Sequence, residues 1–234
     1  MKGIVLAGGA GSRMMPLTKV TNKCLLPVGR KPMIFYPIEL LKTLGAKEIL
    51  LVNGRERCGD FIELLGSGEE LAVDLTYRVQ ERTGGIAQAL GLAKNFVDKD
   101  NCAVILGDNI YEKVPKLKEI NEGKAYVFLK QVKDPERFGC VEWNGRQIKR
   151  IIEKPKKAPS NHIVTGLYIY PSSVFEIIKT LKPSGRGELE ITDVNNAFLE
   201  KGLLDWIEVK GEWTDAGTFE SWFKANKLMM EPKK

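Results

Sequence analysis

The sequence predicts an α/β fold in which a mostly parallel mixed sheet is flanked by helices and extended by an antiparallel part. In the first half of the chain, short apolar strand patterns alternate with helical patterns, which is typical of βαβ units. In the second half, longer strand-like runs follow one another with few helices between them. The Asn144-Gly145 pair between two of these runs predicts a hairpin.

The individual elements follow from hydrophobic periodicity and from helix-stop signals such as Gly45 and Gly202. Strands are predicted over 3–6, 48–52, 73–79, 102–108, 125–132, 139–154 and 162–170. Helices are predicted over 32–45, 59–66, 85–97, 172–181, 192–202 and 218–230. Ser173 and Glu176 have the spacing of a capping box. His162 is expected in a loop, and the charged tail 231–234 is expected to be frayed.

Length and charge bound the function without identifying it. The chain has 234 residues with no clean linker or internal repeat, so one domain is expected. A net charge of +6 fits an anionic ligand, and nucleic-acid binders share this property with enzymes of phosphorylated substrates. Apolar runs stay well below the roughly 18 residues of a membrane span. We therefore expect a soluble cytoplasmic protein without a membrane partner.

Cysteine and histidine usage narrows the chemistry. The four cysteines form no CxxC pair, and the chain contains one histidine. This pattern argues against a zinc site, a disulfide framework and nucleophiles activated by histidine. A metal ion in this protein would therefore need oxygen ligands.

A glycine-rich loop follows the first predicted strand and reads Gly8-Gly9-Ala10-Gly11-Ser12. Such loops usually direct backbone N–H groups at phosphates. Met14 stands where a dinucleotide-binding loop needs its third glycine, and the lysine of a P-loop is missing. Arg13 and Lys23 add two cations suited to a triphosphate or pyrophosphate. A structural turn flanked by two surface cations remains the alternative.

Three polar residues suggest ligand contacts, and two of them lie at the ends of predicted strands. Asp108 ends a buried strand, at the sheet edge where α/β proteins bind ligands. Two carboxylates, such as Asp108 and Asp215, can hold Mg²⁺ together with phosphate oxygens and water. The amide of Gln80 can pair with the imide edge of thymine or uracil. Taken singly, each aspartate could instead cap a turn or helix, and Gln80 could be an exposed strand-end residue.

One long segment, "LAGGAGSRMMPLTKVTNKCLLPVGRKPM", resembles the signature of the sugar-phosphate nucleotidyltransferase family. Later segments agree in order, among them "ILGDNIY", "DPERFGCVEW", "RGELEITDVNNAFLEKG" and "WTDAGT". Within the family, the chain most resembles the shorter glucose-1-phosphate thymidylyltransferases. Two departures are Met14, where leucine is common, and Cys24, at a position that varies.

The resemblance implies a single Rossmann-like nucleotidyltransferase domain over residues 1–234. Its nucleotide-binding part would cover about 1–110 and its sugar-binding part about 111–230. The implied reaction transfers a nucleotidyl group from dTTP to glucose 1-phosphate; the alternative is the same reaction with UTP or another nucleoside triphosphate, or with another sugar 1-phosphate. The implied cofactor is Mg²⁺, and the partners are these small molecules rather than a nucleic-acid polymer; a homo-oligomer is compatible with the family. An NAD-binding oxidoreductase and a non-catalytic sugar-nucleotide sensor remain alternatives.

The resemblance also assigns roles to residues. Arg13 and Lys23 would be catalytic, and Asp108 and Asp215 would hold the metal. The residues implied in nucleotide binding are Leu6, Gly8, Gly9, Gly11, Ser12, Gln80 and Gly85. The residues implied in sugar-phosphate binding are Asn109, Gly139, Glu153, Lys154, Thr165, Tyr168 and Arg186. For Glu153 and Lys154 the alternative is a solvated strand edge, and for Gly139 a β-bulge.

Overall fold

A computed structural model describes residues 1–117 and 120–230, so the tail predicted to be frayed lies outside the described residues. The strands in chain order are β1 (Lys2–Ala7), β2 (Pro27–Val28), β3 (Lys31–Pro32), β4 (Glu48–Gly54), β5 (Asp74–Gln80), β6 (Cys102–Leu106), β7 (Asn109–Tyr111), β8 (Ala125–Gln131), β9 (Gly139–Asn144), β10 (Gln147–Glu153), β11 (His162–Tyr170), β12 (Leu204–Glu208) and β13 (Trp213–Asp215). The α-helices are α1 (Phe35–Thr43), α2 (Cys58–Leu65), α3 (Ile86–Gly91), α4 (Lys94–Val97), α5 (Val174–Thr180), α6 (Ile191–Glu200) and α7 (Phe219–Met230).

The main sheet combines a parallel half with an antiparallel half, as the sequence predicts. Strand β1 pairs in parallel with β4 and β6, and β5 adds to β4 in parallel. Strand β11 joins this half by pairing antiparallel with β6. It continues the sheet through β9 to the predicted hairpin strand β10. Strand β11 also pairs with β8, and β12 pairs in parallel with the other edge of β8.

The two faces of this sheet each bury an apolar cluster, and β1 shows how the strand pattern divides them. Ile4 and Leu6 point to the face covered by α3, α5 and α6. Val5 and Ala7 point to the opposite face, which α1 and α2 cover. Because side chains alternate along a strand, a continuous apolar run is needed to fill both clusters.

Several predicted details were wrong in the helical regions. The helix predicted over 85–97 is divided into α3 and α4 after Gly91, a residue that weakens helices. The capping box is absent, because Ser173 has helical backbone angles and makes no cap hydrogen bond with the described chain. Glu176 instead accepts from Lys179 at 2.9 Å.

Among the described residues, the helices are too short or too polar to cross a membrane.

His162 is the first residue of β11 and not a loop residue. Its Nε2 lies 3.0 Å from the side-chain amide of Gln131, and its Nδ1 accepts from Trp143 at 3.3 Å. His162 pairs with Gln131 of β8, so β11 begins where the strand prediction of 162–170 begins, and the expectation of a loop histidine was wrong.

A small antiparallel ladder of β7 and β13 was not predicted, and it positions part of the candidate site. Asp215 pairs with Asn109 across this ladder. The side chain of Asn109 then reaches β11, where its Oδ1 accepts from the N–H of Gly166 at 2.9 Å. The register of β11 against β8 shifts between Val164 and Tyr168, around this same glycine. The Asn109 amide therefore replaces part of the strand ladder.

Glycine is required at position 166 because of this insertion. A Cβ at Gly166 would lie 2.6 Å from Nδ2 of Asn109, which is buried and cannot move away cheaply. Gly166→Ala is expected to lower the free energy of unfolding by about 1–3 kcal/mol, the usual cost of overpacking. Urea denaturation followed by circular dichroism measures this loss.

The matched control is Gly59→Ala in α2. A Cβ at Gly59 meets no atom of the described chain within 4 Å, and alanine favours helix by up to about 1 kcal/mol. The two substitutions are expected to shift the unfolding midpoint in opposite directions. A Gly166→Ala variant as stable as the wild-type protein would contradict the proposed role of the Asn109 insertion.

Candidate functional site

One cavity of about 340 Å³ lies at the carboxyl ends of β1, β5 and β6 and reaches across to β10 and β11. It collects most of the residues that the sequence singles out. Those that line it are Leu6, Gly8, Gly9, Arg13, Lys23, Gln80, Gly85, Asp108, Asn109, Gly139, Glu153, Lys154, Thr165, Tyr168 and Asp215. Three residues of the predicted set are not among the described residues that line the cavity: Gly11, Ser12 and Arg186.

The glycine-rich loop is shaped by packing as well as by its backbone. A Cβ at Gly8 would lie only 2.1 Å from Oε1 of Gln80, so the loop and this side chain fit together only because position 8 is glycine. Gly11 has a φ of +65°, and its carbonyl accepts from the N–H of Met14 at 2.8 Å. This turn starts the 3₁₀ segment Ser12–Met14, which carries Arg13 to the cavity.

At one end of the cavity, Gln80 ends β5 and is buried, so the alternative of an exposed polar residue was wrong. Its Nε2 donates to Oε1 of Gln88 at 2.6 Å. Gly85 immediately precedes α3 with a φ of +95°, and a Cβ there would lie 2.5 Å from the carbonyl of Leu189. The start of α3 is thereby held against the segment before α6, which joins the two halves of the chain.

In the middle of the cavity, the β7–β13 ladder brings Asp108 and Asp215 together from distant parts of the sequence. The N–H of Ala216 donates to the carbonyl of Asp108 at 2.7 Å. A Cβ built on Gly217 would lie 3.0 Å from Nη2 of Arg13, 3.4 Å from Oδ2 of Asp108 and 3.6 Å from Oδ2 of Asp215. The guanidinium and both carboxylates therefore surround one point, where a bulkier residue than glycine would intrude.

Each of the two aspartates has a cationic partner, but their protonation behaviour differs. Lys23 forms an ion pair with Asp108, and Nη2 of Arg137 lies 3.0 Å from Oδ2 of Asp215. Burial disfavours the charge on Asp108, yet Lys23 and hydrogen bonds from Lys23 and Asn109 lower its pKa below the ordinary value. Burial, followed by repulsion from Asp108, raises the pKa of Asp215 to about 6 although Arg137 opposes this. Charge is thus better compensated at Asp108 than at Asp215.

Asn109 and Thr165 line the cavity, but their polar atoms are largely used within the protein. Nδ2 of Asn109 donates to Oδ1 of Asp108 at 3.0 Å, and its Oδ1 also accepts from the Trp213 indole at 2.8 Å. The Thr165 hydroxyl accepts from Tyr111 at 2.8 Å and donates to the carbonyl of Phe128 at 3.0 Å. These contacts fit a positioning role at least as well as direct ligand binding.

At the far end of the cavity, Glu153 is held by neighbouring side chains. It accepts from the Thr192 hydroxyl at 2.5 Å and from Nη2 of Arg186 at 3.1 Å. Arg186 also donates to Glu190 at 2.8 Å, which keeps it at the edge of the cavity. Lys154 follows β10 with a φ of +40°, an uncommon backbone conformation for a residue with a side chain.

Arg137, like Glu188, is a charged cavity residue that the sequence reasoning missed. It lies in the segment "DPERFGCVEW", two residues before Gly139, which was singled out. Its only sequence signal is a cation in that charged stretch, and nothing local indicates that it reaches Asp215. Thr83, Ile86, Phe138, Gly166, Thr192, Asn195 and Trp213 are further cavity residues that were not predicted.

The donor set at the two aspartates fits Mg²⁺. Within residues 1–117 and 120–230, no group of three or more histidine, cysteine, aspartate or glutamate side chains is arranged to hold a metal ion. Two facing carboxylates are nevertheless sufficient for Mg²⁺, which keeps several waters and takes further oxygens from phosphates. Burial and, after it, repulsion from Asp108 raise the pKa of Asp215, and a divalent cation held by the two carboxylates would offset both effects.

Comparison with known proteins shows the same chain-wide likeness. The Nucleotidyl transferase family model matches residues 2–231. A glucose-1-phosphate thymidylyltransferase of Neisseria meningitidis serogroup A is 42% identical over 234 residues, which cover 96% of this chain and 81% of the relative.

Solved structures share the fold. A Bacillus anthracis protein, provisionally described as a glucose-1-phosphate thymidylyltransferase and crystallised with sucrose, is 50% identical with a TM-score of 0.93 over 100% of this chain and 97% of that one. A UDP-glucose pyrophosphorylase with bound UDP-glucose is 24% identical with a TM-score of 0.80 over 97% of both chains, which supports the fold alone. With the family model spanning nearly its whole length, the chain belongs to the Nucleotidyl transferase family.

Proposed function

We propose that this protein transfers a thymidylyl group from dTTP to α-D-glucose 1-phosphate and releases pyrophosphate, giving dTDP-glucose. The observation that carries the proposal is that a single cavity joins the loop cations, two facing carboxylates, Gln80 and Lys154. The names of the relatives support the choice of substrates. The part of the chain over about 1–110 would bind the nucleotide, and the part over about 111–230 would bind the sugar.

The reaction needs charge compensation more than it needs a base. The attacking phosphate oxygen of the sugar is already largely ionised near pH 7, because the second phosphate pKa is about 6. The difficulty is that two anions must meet in line at the α-phosphorus. Positioned cations and backbone N–H groups would therefore supply most of the catalysis.

The cavity residues divide this task between the two substrates. Arg13 and the N–H groups of the loop would hold the departing pyrophosphate, and Lys23 would neutralise charge at the reacting phosphates. Lys154 would hold the phosphate of the sugar, and Glu153 would accept from sugar hydroxyls. Asp108 and Asp215 would hold Mg²⁺, which when bound supplies positive charge at the α-phosphate. Gly11, Ser12 and Arg186 would contribute from the rim of the site.

Gln80 would read the base at the nucleotide end of the cavity. Its buried amide offers both a donor and an acceptor, as an imide base requires. Uracil presents the same edge as thymine, so UTP is the second candidate substrate. Family membership favours transfer over the oxidoreductase alternative, and cytoplasmic location and self-association remain predictions.

A single assay tests the proposal. The protein is incubated with Mg²⁺ and glucose 1-phosphate, and dTTP, UTP, CTP, GTP and ATP are offered separately while pyrophosphate is measured. We expect the fastest release with dTTP. Faster release with UTP would change the nucleotide assignment, and no release with any nucleotide would refute the transferase activity.

Lys23→Ala is expected to lower kcat by about 10²-fold or more, the scale of losing one preorganised charged contact. Pyrophosphate release under saturating substrates measures the effect. Lys19→Ala removes an exposed lysine from the neighbouring 3₁₀ turn and is the matched control. Because Lys23 also compensates the buried Asp108, the melting temperature of each variant is measured alongside. An unchanged kcat in a folded Lys23→Ala protein would remove this lysine from the mechanism.

Asp108→Asn is expected to raise the Mg²⁺ concentration needed for half-maximal activity by about tenfold or more, since it removes one anionic oxygen ligand. The measurement is a magnesium titration of the initial rate. Asp100→Asn, at an exposed position before β6, keeps the overall charge change identical. A titration curve that matches the control would exclude Asp108 as a ligand.

Gln80→Ala is expected to reduce the preference for dTTP over dCTP by roughly 10–100-fold in kcat/KM, while KM for glucose 1-phosphate stays nearly constant. Loss of a buried donor and acceptor affects the base that pairs with them and not the distant sugar. Gln147→Ala on β10 is an exposed control. An equal loss with both nucleotides would contradict the base-reading role.

A further inference from the structure

Arg137 connects a surface turn to the centre of the cavity. Its Nη2 lies 3.2 Å from Oδ1 and 3.0 Å from Oδ2 of Asp215. Its Nη1 donates to Asp134 at 2.6 Å, on the outer side of the same turn. The Arg137 side chain is 35% exposed, whereas that of Asp215 is 15% exposed. The guanidinium therefore bridges a solvated aspartate and a largely buried one.

The backbone of Arg137 lies beside the proposed sugar-phosphate end of the cavity. It ends the 3₁₀ turn Pro135–Arg137, and the carbonyl of the next residue, Phe138, accepts from the N–H of Lys154 at 3.0 Å. Gly139 then pairs with Glu153. Arg137 thus shares one wall with Lys154, while its guanidinium lies on a carboxylate of the proposed metal site.

We propose that Arg137 compensates the negative charge of Asp215 in the metal-free protein. When a metal ion binds this carboxylate, the guanidinium moves to the phosphate of the sugar. The inference rests on the proposed function, because it uses the metal site and the sugar-phosphate end assigned there. Arg137 would then be a positioning residue that links the metal site to the sugar-phosphate end of the cavity.

Electrostatics gives the direction of this exchange. A divalent cation held by Asp215 would compete with the guanidinium for that carboxylate and would repel the guanidinium at short range. A phosphate offers the planar fork of arginine a better-matched anionic partner. Binding of metal and binding of sugar phosphate would consequently strengthen each other, and such coupling is reciprocal.

Lys23 is a less suitable residue for this exchange. It holds Asp108 as Arg137 holds Asp215, but both side chains of its pair are largely buried, at 16% and 11% exposure. Arg137 has solvent on one side and a second carboxylate, Asp134, on the turn. Its release from Asp215 therefore disturbs less buried structure than release of Lys23 from Asp108.

The first test measures metal binding without any turnover. Mn²⁺ is titrated into the wild-type protein and into Arg137→Gln, Arg137→Lys, Arg186→Gln and Asp215→Asn, and free Mn²⁺ is followed by electron paramagnetic resonance. We expect Arg137→Gln to bind Mn²⁺ up to about fivefold more tightly, the scale of one competing ion pair that is partly exposed. Arg137→Lys, which keeps the charge, is expected to lie closer to the wild-type protein.

Arg186→Gln is the charge-matched control, because Arg186 pairs with Glu153 and Glu190 and not with the two aspartates in the described structure. We expect it to change the affinity for Mn²⁺ less than about twofold. If Arg137→Gln binds Mn²⁺ no more tightly than Arg186→Gln, the exchange is refuted.

The second test separates the two substrates. In Arg137→Gln, KM for glucose 1-phosphate is expected to rise about tenfold, while KM for dTTP changes less than about twofold. A merely structural role for Arg137 would move both values, and equal increases would overturn the proposal.

The outcomes also distinguish the inference from the proposed function. Asp215→Asn should lose tight Mn²⁺ binding if Asp215 holds the metal. If Asp215→Asn binds Mn²⁺ as the wild-type protein does, or if the wild-type protein binds none, the metal site and the inference both fail. If Asp215→Asn loses binding but Arg137→Gln is unchanged, only the inference fails.

Discussion

Two largely buried carboxylates lie together at the centre of the cavity, and their burial and mutual repulsion are the constraint around which their neighbours are arranged. Lys23 and Arg137 each compensate one of them, and Arg13 approaches both. Burial makes uncompensated charge costly, so these cations are needed for the fold as well as for any ligand. The cations that we propose to bind anionic substrates are therefore paired with the protein's own carboxylates.

The fold meets this constraint through a short ladder rather than through the main sheet. Asp108 follows β6, but Asp215 reaches it only because β13 pairs with β7. The amide of Asn109 fixes the arrangement by contacting Asp108, the backbone of Gly166 and the indole of Trp213. One buried side chain thus ties β7, β11 and β13 together. Glycine at 166 leaves the space that the Asn109 amide occupies, and glycine at 217 leaves the space between Arg13 and the two aspartates.

The sequence predicted what depends on periodicity and on long motifs. The parallel half, the antiparallel half and the hairpin at Asn144-Gly145 all have regular local patterns, and the structure contains them. Strands β7 and β13 have three residues each, too few for a period to be detected. The capping box failed because residue spacing says nothing about the backbone angles of Ser173.

The candidate site shows the same division. Strand ends and glycine turns have local signals, and most of the residues predicted from them line the cavity, although Gly11 and Ser12 do not. Arg137 was missed because its partner lies 78 positions away, and no local pattern reports such a contact. The resemblance to a family supplied roles for residues, such as Thr165, whose hydrogen bonds are made inside the protein.

The fit between Gly8 and Gln80 has a consequence for protein engineering. The first loop glycine is in contact with the very side chain proposed to choose the base, since a Cβ at position 8 would overlap Oε1 of Gln80. If position 80 is varied to accept other bases, each shorter or longer side chain changes the contact with Gly8. The conformation of the glycine-rich loop is therefore expected to change together with the base preference. Positions 8 and 80 form one unit of variation, and only joint randomisation can separate a change in base preference from a change in loop shape.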